Sequence, residues 1–344
     1  MPFLDRVILQ EMAPRQVRYL SRLDYNKANG IAREALQQME KEFLPGPPIT
    51  LHLANPELLA GVWSMVRESM VVGLEGRTLR EVIAGTVSRL NTCPYCFDMH
   101  AAMLHSFASS PAAASLEKGG EFDDPALQAV AGWAAATLTP GADILKRPPF
   151  SAEQAPRMIG TAVCFHYLNR MVNVFLPTSP LPVRGSIMSR VAGKILQPRL
   201  ANRNAEPGKF LDEMEDRPPL PPEFAWAKPN PHVAGAFRRF VSAAVSAGEE
   251  SLDSEVRNRV EARIEAWGGE APGLGGEWIR DSISGLGEDQ RASGRLALLT
   301  ALGSWQIDDA VIADFRSRQP HDRDLINVTS WASYTAARRI VSWL

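Results

Sequence analysis

The chain has 344 residues, a net charge of −2, 45 % apolar and 22 % charged residues, an ordinary globular composition with room for more than one core. No basic excess points to nucleic acid and no acidic block points to a solvating tail. Met1–Arg15 is interrupted by Asp5, Arg6 and Glu11 and does not read as a signal peptide, and apolar runs such as Met158–Phe165 are too short to cross a bilayer. A cytoplasmic protein without membrane contact is the expectation.

Helical patterns follow in chain order. Leu23–Phe43 places Ile31, Ala35, Leu36 and Met39 on one side, and Pro45, Pro47 and Pro48 end it. Asn55-Pro56, a cap followed by proline at the first helical position, opens a helix over Glu57–Val72. Thr78 and Glu81 have capping-box spacing for a helix through about Leu90. Asn91-Thr92 breaks that helix, and Pro94 starts another through about Phe107. Further helices are expected at Pro125–Thr137, Ala152–Phe175 and Gly185–Leu196, then at Val233–Ala247, Asp253–Trp267, Gly276–Ser284, Asp289–Phe315 and Asp324–Trp343. Alternating β-branched runs with hairpin turns are almost absent, so the fold is expected to be all-α.

Pro198–Pro231 holds eight prolines and few aliphatic residues, the composition of a linker or strap between two halves. The halves read as a diverged repeat. Asn55-Pro56 recurs as Asn230-Pro231, and Glu81-Val82 and Arg89-Leu90 recur as Glu255-Val256 and Arg263-Ile264, at offsets of 174–175. At an offset of 174, Cys93, Cys96 and His100 become Trp267, Glu270 and Leu274. The expected organisation is a helical unit with the chemistry at 1–197, a Pro-rich linker at 198–231, and a degenerate second unit without cysteines at 232–344.

The three cysteines are Cys93, Cys96 and Cys164. A secreted disulfide scaffold would use more, spread along the chain. Pro94 makes Cys93 the expected N-cap and puts Cys96 at the third helical position, so both sulfurs lie near free backbone N–H groups and the positive helix end. These features lower thiol pKa values from ~8.5. His100 follows Cys96 by four positions and shares its face, placed to exchange a proton with the thiol. Glu81 lies on the preceding helix with Ala84, Gly85 and Ser88, small residues that would let the next helix approach and bring the carboxylate to the histidine. Zinc would need four ligands. Cys93, Cys96, His100 and His105 do not converge easily, because the two histidines lie about 140° apart round the helix; Glu81 is a possible fourth ligand. Cys164 sits in an apolar helical context. His166 and Arg170 share a helix face suited to a polar interface or a pocket wall, and Trp133, Trp267, Trp278, Trp305 and Trp331 read as packing residues.

The arrangement E-x11-C-x2-C-x3-H, formed by Glu81, Cys93, Cys96 and His100, resembles the alkyl hydroperoxidase D-like branch of the carboxymuconolactone decarboxylase superfamily. The likeness runs from about Pro47 to Phe175, and Phe165–Arg170 looks like the helix after the motif in peroxidase-related members. The resemblance implies an AhpD-like helical bundle, two copies in one chain, no cofactor or metal, and a dithiol–disulfide cycle that reduces hydroperoxides. Cys96 would attack the peroxide, Cys93 would protonate the leaving group and resolve the sulfenic acid, and Glu81 and His100 would relay the proton. A thioredoxin-like or lipoyl-bearing reductant and a homo-oligomer are implied with it. Tyr95 departs from the pattern, standing where the hydroperoxidase carries histidine. Two other readings remain open: a cofactor-free decarboxylase or lactone-processing enzyme using His100 and Glu81, and a non-catalytic redox-sensing or zinc-holding module.

Overall fold

The computed structural model describes residues 16–107, 110–181, 185–200, 205–210 and 218–344. Met1–Arg15, and with it the reading that no signal peptide is present, lies outside the described residues, as do 201–204 and 211–217 of the Pro-rich segment. Among the described residues there is no strand, and no helix is long and apolar enough to cross a membrane.

The principal helices are α1 (Gly30–Glu42), α2 (Pro56–Val66, continued as a π turn over Arg67–Val71), α3 (Arg77–Leu90), α4 (Pro94–Phe107), α5 (Ser110–Lys118), α6 (Pro125–Ala136), α7 (Ala155–Phe175), α8 (Ser186–Leu200), α9 (Pro231–Ser251), α10 (Ser254–Glu265), α11 (Glu277–Ile283), α12 (Glu288–Gly303), α13 (Asp309–Arg316) and α14 (Asp322–Val341). Helix α5 carries no signal that the sequence reading used. Leu23–Phe43 begins instead as a 3-10 turn capped by Asp24, with α1 opening only at Gly30. Asp289–Phe315 is two helices, because Asp308 accepts from Val311 N and restarts the chain after a 3-10 turn at Ser304–Gln306. Apolar spacing alone carried across that break.

Helix α7 is buried on every side, all but three of its residues being inside, which makes it the central rod. It packs against α3 on one side and α14 on the other, while α9 packs against α2 and α14. Gly61 on α2 permits the crossing: a Cβ there would stand 3.0 Å from Phe240 Cα. Apolar residues from both halves form one continuous core. Described residues of the Pro-rich segment pack onto it. Phe210 and Phe224 are buried, Arg67 Nη2 donates to Glu206 O, and Gly208 N donates to a Glu68 oxygen.

Asn55 and Asn230 cap α2 and α9 in the same way, each side-chain oxygen accepting from the two N–H groups two and three residues on. Asn55 also donates to Asn327 Oδ1 (2.8 Å) on α14, a side-chain hydrogen bond between the halves.

Beside α7, His52 is fully buried. Its Nδ1 donates to Ile49 O and its Nε2 accepts from Tyr167 Oη, both at 2.8 Å. Burial pulls its pKa down to about 4. The unfolded chain therefore binds the proton first, so stability is held above pH ~6.5 and falls by ~1.4 kcal/mol per unit as pH drops towards the folded value. The thermal midpoint should fall between pH 6.5 and 4. Tyr167→Phe should cost ~1–3 kcal/mol at pH 7 by orphaning the histidine nitrogen, measured by urea unfolding.

Candidate active site

Helix α3 starts at Gly76, which takes φ +69° with no side-chain cap. The capping-box reading of Thr78 and Glu81 is therefore corrected: Glu81 is fully buried inside the helix and faces two partners. Arg77 Nε donates to its Oε1 (2.7 Å), an i,i+4 pair on one helix face. His100 Nδ1 donates to its Oε2 (2.6 Å) from α4. Burial pushes this carboxyl up, but the Arg77 charge and the His100 bond outweigh it and hold the group below the usual carboxylate range. Arg77 also lies over the Phe107 and Phe43 rings.

The small residues of α3 serve other neighbours than expected. A Cβ on Gly85 would meet Leu116 of α5 at 2.6 Å, and Ser88 Oγ accepts from Asn169 Nδ2 of α7 at 3.0 Å. Helices α3 and α4 nevertheless pack closely across a tight turn. Thr92 takes φ +50°, Cys93 N donates back to Ser88 O (2.9 Å), and Cys93 O accepts from Phe97 N (3.0 Å).

Cys93 and Cys96 are buried and unbridged. Cys96 and His100 line an apolar cavity of about 100 Å³ with Tyr95, Met99, Met103, Phe165 and residues of the α1–α2 connection; Cys93 is not part of its wall. The His100 ring meets Phe165 edge-on, centroids 4.3 Å apart, and with Nδ1 committed to Glu81 it has Nε2 left for proton exchange. Burial and the hydrogen-bonded Cys93 sulfur push the Cys96 thiol well up, while a hydrogen bond from Asn169 pulls it down. This corrects the expectation of a lowered Cys96 pKa. A helix terminus contributes ~0.3–1 kcal/mol, under one pH unit, whereas full burial moves a group by several. Burial also pushes the Tyr95 phenol up, so Tyr95 stays protonated and is no base near neutrality.

The other residues singled out in the sequence take structural places. Cys164 is in the core, its Sγ 3.7 Å from Met65 O, and burial pushes its thiol up. His166 and Arg170 line no part of the cavity. His166 accepts from Asn91 Nδ2 (3.1 Å) and donates to Thr137 Oγ1 (2.9 Å), and Arg170 donates to Asn91 Oδ1 and Ala301 O. His105 turns away from the cysteines, 3.5 Å from Glu117. In the second half, Trp267 is buried and donates to Glu270 O, and Leu274 is exposed. Arg77, Asn91 and Asn169 were not expected at the site. The i,i+4 spacing from Glu81 could have found Arg77; no local spacing points to the two asparagines.

Over 326 residues the chain is 33 % identical to the protein named alkyl hydroperoxide reductase Rv2159c from Mycobacterium tuberculosis, with 92 % of each chain covered. The chain belongs to the AhpD-like family. No protein-family model and no solved structure matches it. The all-helical architecture agrees with an AhpD-like bundle.

In this candidate site Arg77 neutralises a carboxylate that is out of reach of water. Arg77→Met should lower stability by ~3–5 kcal/mol at neutral pH, read by urea unfolding, because the buried Glu81 charge loses its main partner. Glu81 has a depressed folded pKa, so the wild-type pair contributes fully above ~4.3 and is lost as pH falls through the lower folded value. The difference between the two proteins should therefore shrink in acid.

Proposed function

We propose that the protein is a thiol-dependent peroxidase that reduces organic hydroperoxides through a Cys93–Cys96 dithiol–disulfide cycle. The observation that carries this reading is that Cys96 and His100 share one apolar cavity while Cys93 packs with Cys96 in one buried cluster from outside its wall. The activity named for the Mycobacterium tuberculosis relative agrees with it.

The chemistry runs as follows. Cys96 loses its proton to His100 Nε2, and ionised Glu81 stabilises the resulting imidazolium through Nδ1. The thiolate attacks the distal peroxide oxygen, an S–O bond forms as the O–O bond breaks, and the departing alkoxide takes the Cys93 proton. The Cys93 thiolate then attacks the sulfenic sulfur. An S–S bond forms, the S–O bond breaks, and hydroxide leaves with the proton held by His100. The two sulfurs give up two electrons, one ROOH becomes ROH and water, and a thioredoxin-like or lipoyl-bearing dithiol restores the pair in a reducing compartment such as the cytoplasm. The apolar wall suits the alkyl part of the substrate.

We also propose that the second half is a diverged copy that supports the fold. Its helices α9, α10 and α14 parallel α2, α3 and α7 in order and in the Asn-Pro cap, with Trp267 and Glu270 in place of the cysteines. Self-association into a homo-oligomer belongs to the same reading.

With tert-butyl hydroperoxide and dithiothreitol, Cys96→Ser should abolish turnover, and undiminished consumption would overturn the reading. Cys93→Ser should accumulate a sulfenic acid at Cys96, detected by dimedone labelling and mass spectrometry. His100→Ala and Glu81→Gln should slow turnover by ~10²-fold or more.

A further inference from the structure

Asn169 lies on α7, 73 positions beyond Cys96, and is completely buried. A carboxamide in that setting needs partners for both ends. Its oxygen accepts from Asn91 Nδ2 (3.1 Å), in the turn that leads into Cys93. Its nitrogen donates to Ser88 Oγ (3.0 Å). The polarity of that bond is fixed, because Ser88 donates its own proton to Ala84 O (2.7 Å) and has only lone pairs to offer Asn169. The amide is thus oriented with its NH2 end towards α3 and the cysteine helix. One N–H goes to Ser88, and the other is left for the Cys96 sulfur, whose side chain clusters with Val172 and lines one cavity with Leu168, the α7 neighbours of Asn169.

We propose that Asn169 is a catalytic residue that stabilises the Cys96 thiolate when it forms, by donating a fixed N–H to the sulfur inside an otherwise apolar wall. The proposal rests on the peroxidase reading for its purpose, though not for its geometry. An N–H donor strengthens its bond when the sulfur becomes negative, so it favours the thiolate over the thiol. Such a donor is needed here because burial opposes ionisation, and an amide N–H, unlike the His100 imidazolium, has no proton to return to the sulfur. Asn91 and Ser88 act as positioning residues. Asn91 is itself held by Arg170, whose Nε donates to Ala301 O at the end of α12 (2.7 Å), and Asn173 ties Asn91 O to Ser304 Oγ, both at 3.0 Å. The second half of the chain therefore anchors the scaffold that aims the amide.

The test reads the thiolate directly and needs no peroxide. In a Cys93→Ser background of the full chain, the rate of Cys96 alkylation by iodoacetamide is followed from pH 6 to 10 by peptide mass mapping. Adding Asn169→Ala should move the rising limb up by about one pH unit, a roughly tenfold slower alkylation at pH 8. Asn169→Asp, which keeps the shape but presents oxygen in place of the N–H donor, should move it further. Ser88→Ala should give a smaller shift in the same direction. Circular dichroism and thermal melting establish that each variant is folded. Superimposable pH profiles for folded Asn169→Ala and its parent would overturn the proposal. If the alanine variant does not fold, an unshifted or lowered profile for Asn169→Asp does so instead. A shifted alkylation profile in a protein that consumes no hydroperoxide would sink the peroxidase reading and leave the thiolate donor standing.

Discussion

Glu81 is a carboxylate with no access to water, and the arrangement around it follows from that constraint. An isolated buried charge would either take up a proton or destabilise the fold by several kcal/mol. Arg77, one turn earlier, supplies the countercharge and keeps the group ionised. His100 then fills the second oxygen, which fixes both the ring orientation and the nitrogen that carries the proton. Helices α3 and α4 are thereby locked in register across the turn at Asn91-Thr92, and the cysteines at the start of α4 inherit that register.

Burial has two opposing effects on Cys96. It builds an apolar cavity beside the sulfur, and it raises the cost of forming a thiolate there. Two polar groups nearby are held by others: His100 by Glu81, and Asn169 by Ser88 and Asn91. Pre-aimed donors of this kind need no reorganisation when charge develops nearby.

The same economy gives the second half of the chain a part in the site. It lacks cysteine, yet Ala301 O and Ser304 Oγ receive hydrogen bonds from Arg170 and Asn173, and both of those reach Asn91. The shared core through α7 and α14 makes these contacts rigid, since close-packed helices shift only at a cost in contact and cavity energy.

The sequence by itself determined the all-helical class, most helix positions, and the spacing that puts Cys93, Cys96, His100 and Glu81 on two successive helices. These are local matters: 3.6-residue periodicity, proline at a helix start, an asparagine cap. It gave no account of the break between α12 and α13 or of the glycine start of α3, where a short cap or a left-handed residue overrides the apolar pattern. The tertiary structure alone decided that Gly85 accommodates Leu116 and that Ser88 meets Asn169. It likewise decided that Cys96, with His100, forms a cavity wall and that burial outweighs the helix dipole at its sulfur. Those outcomes depend on which faces meet across some 30 to 80 residues of chain, and helical spacing fixes a face without naming what it packs against.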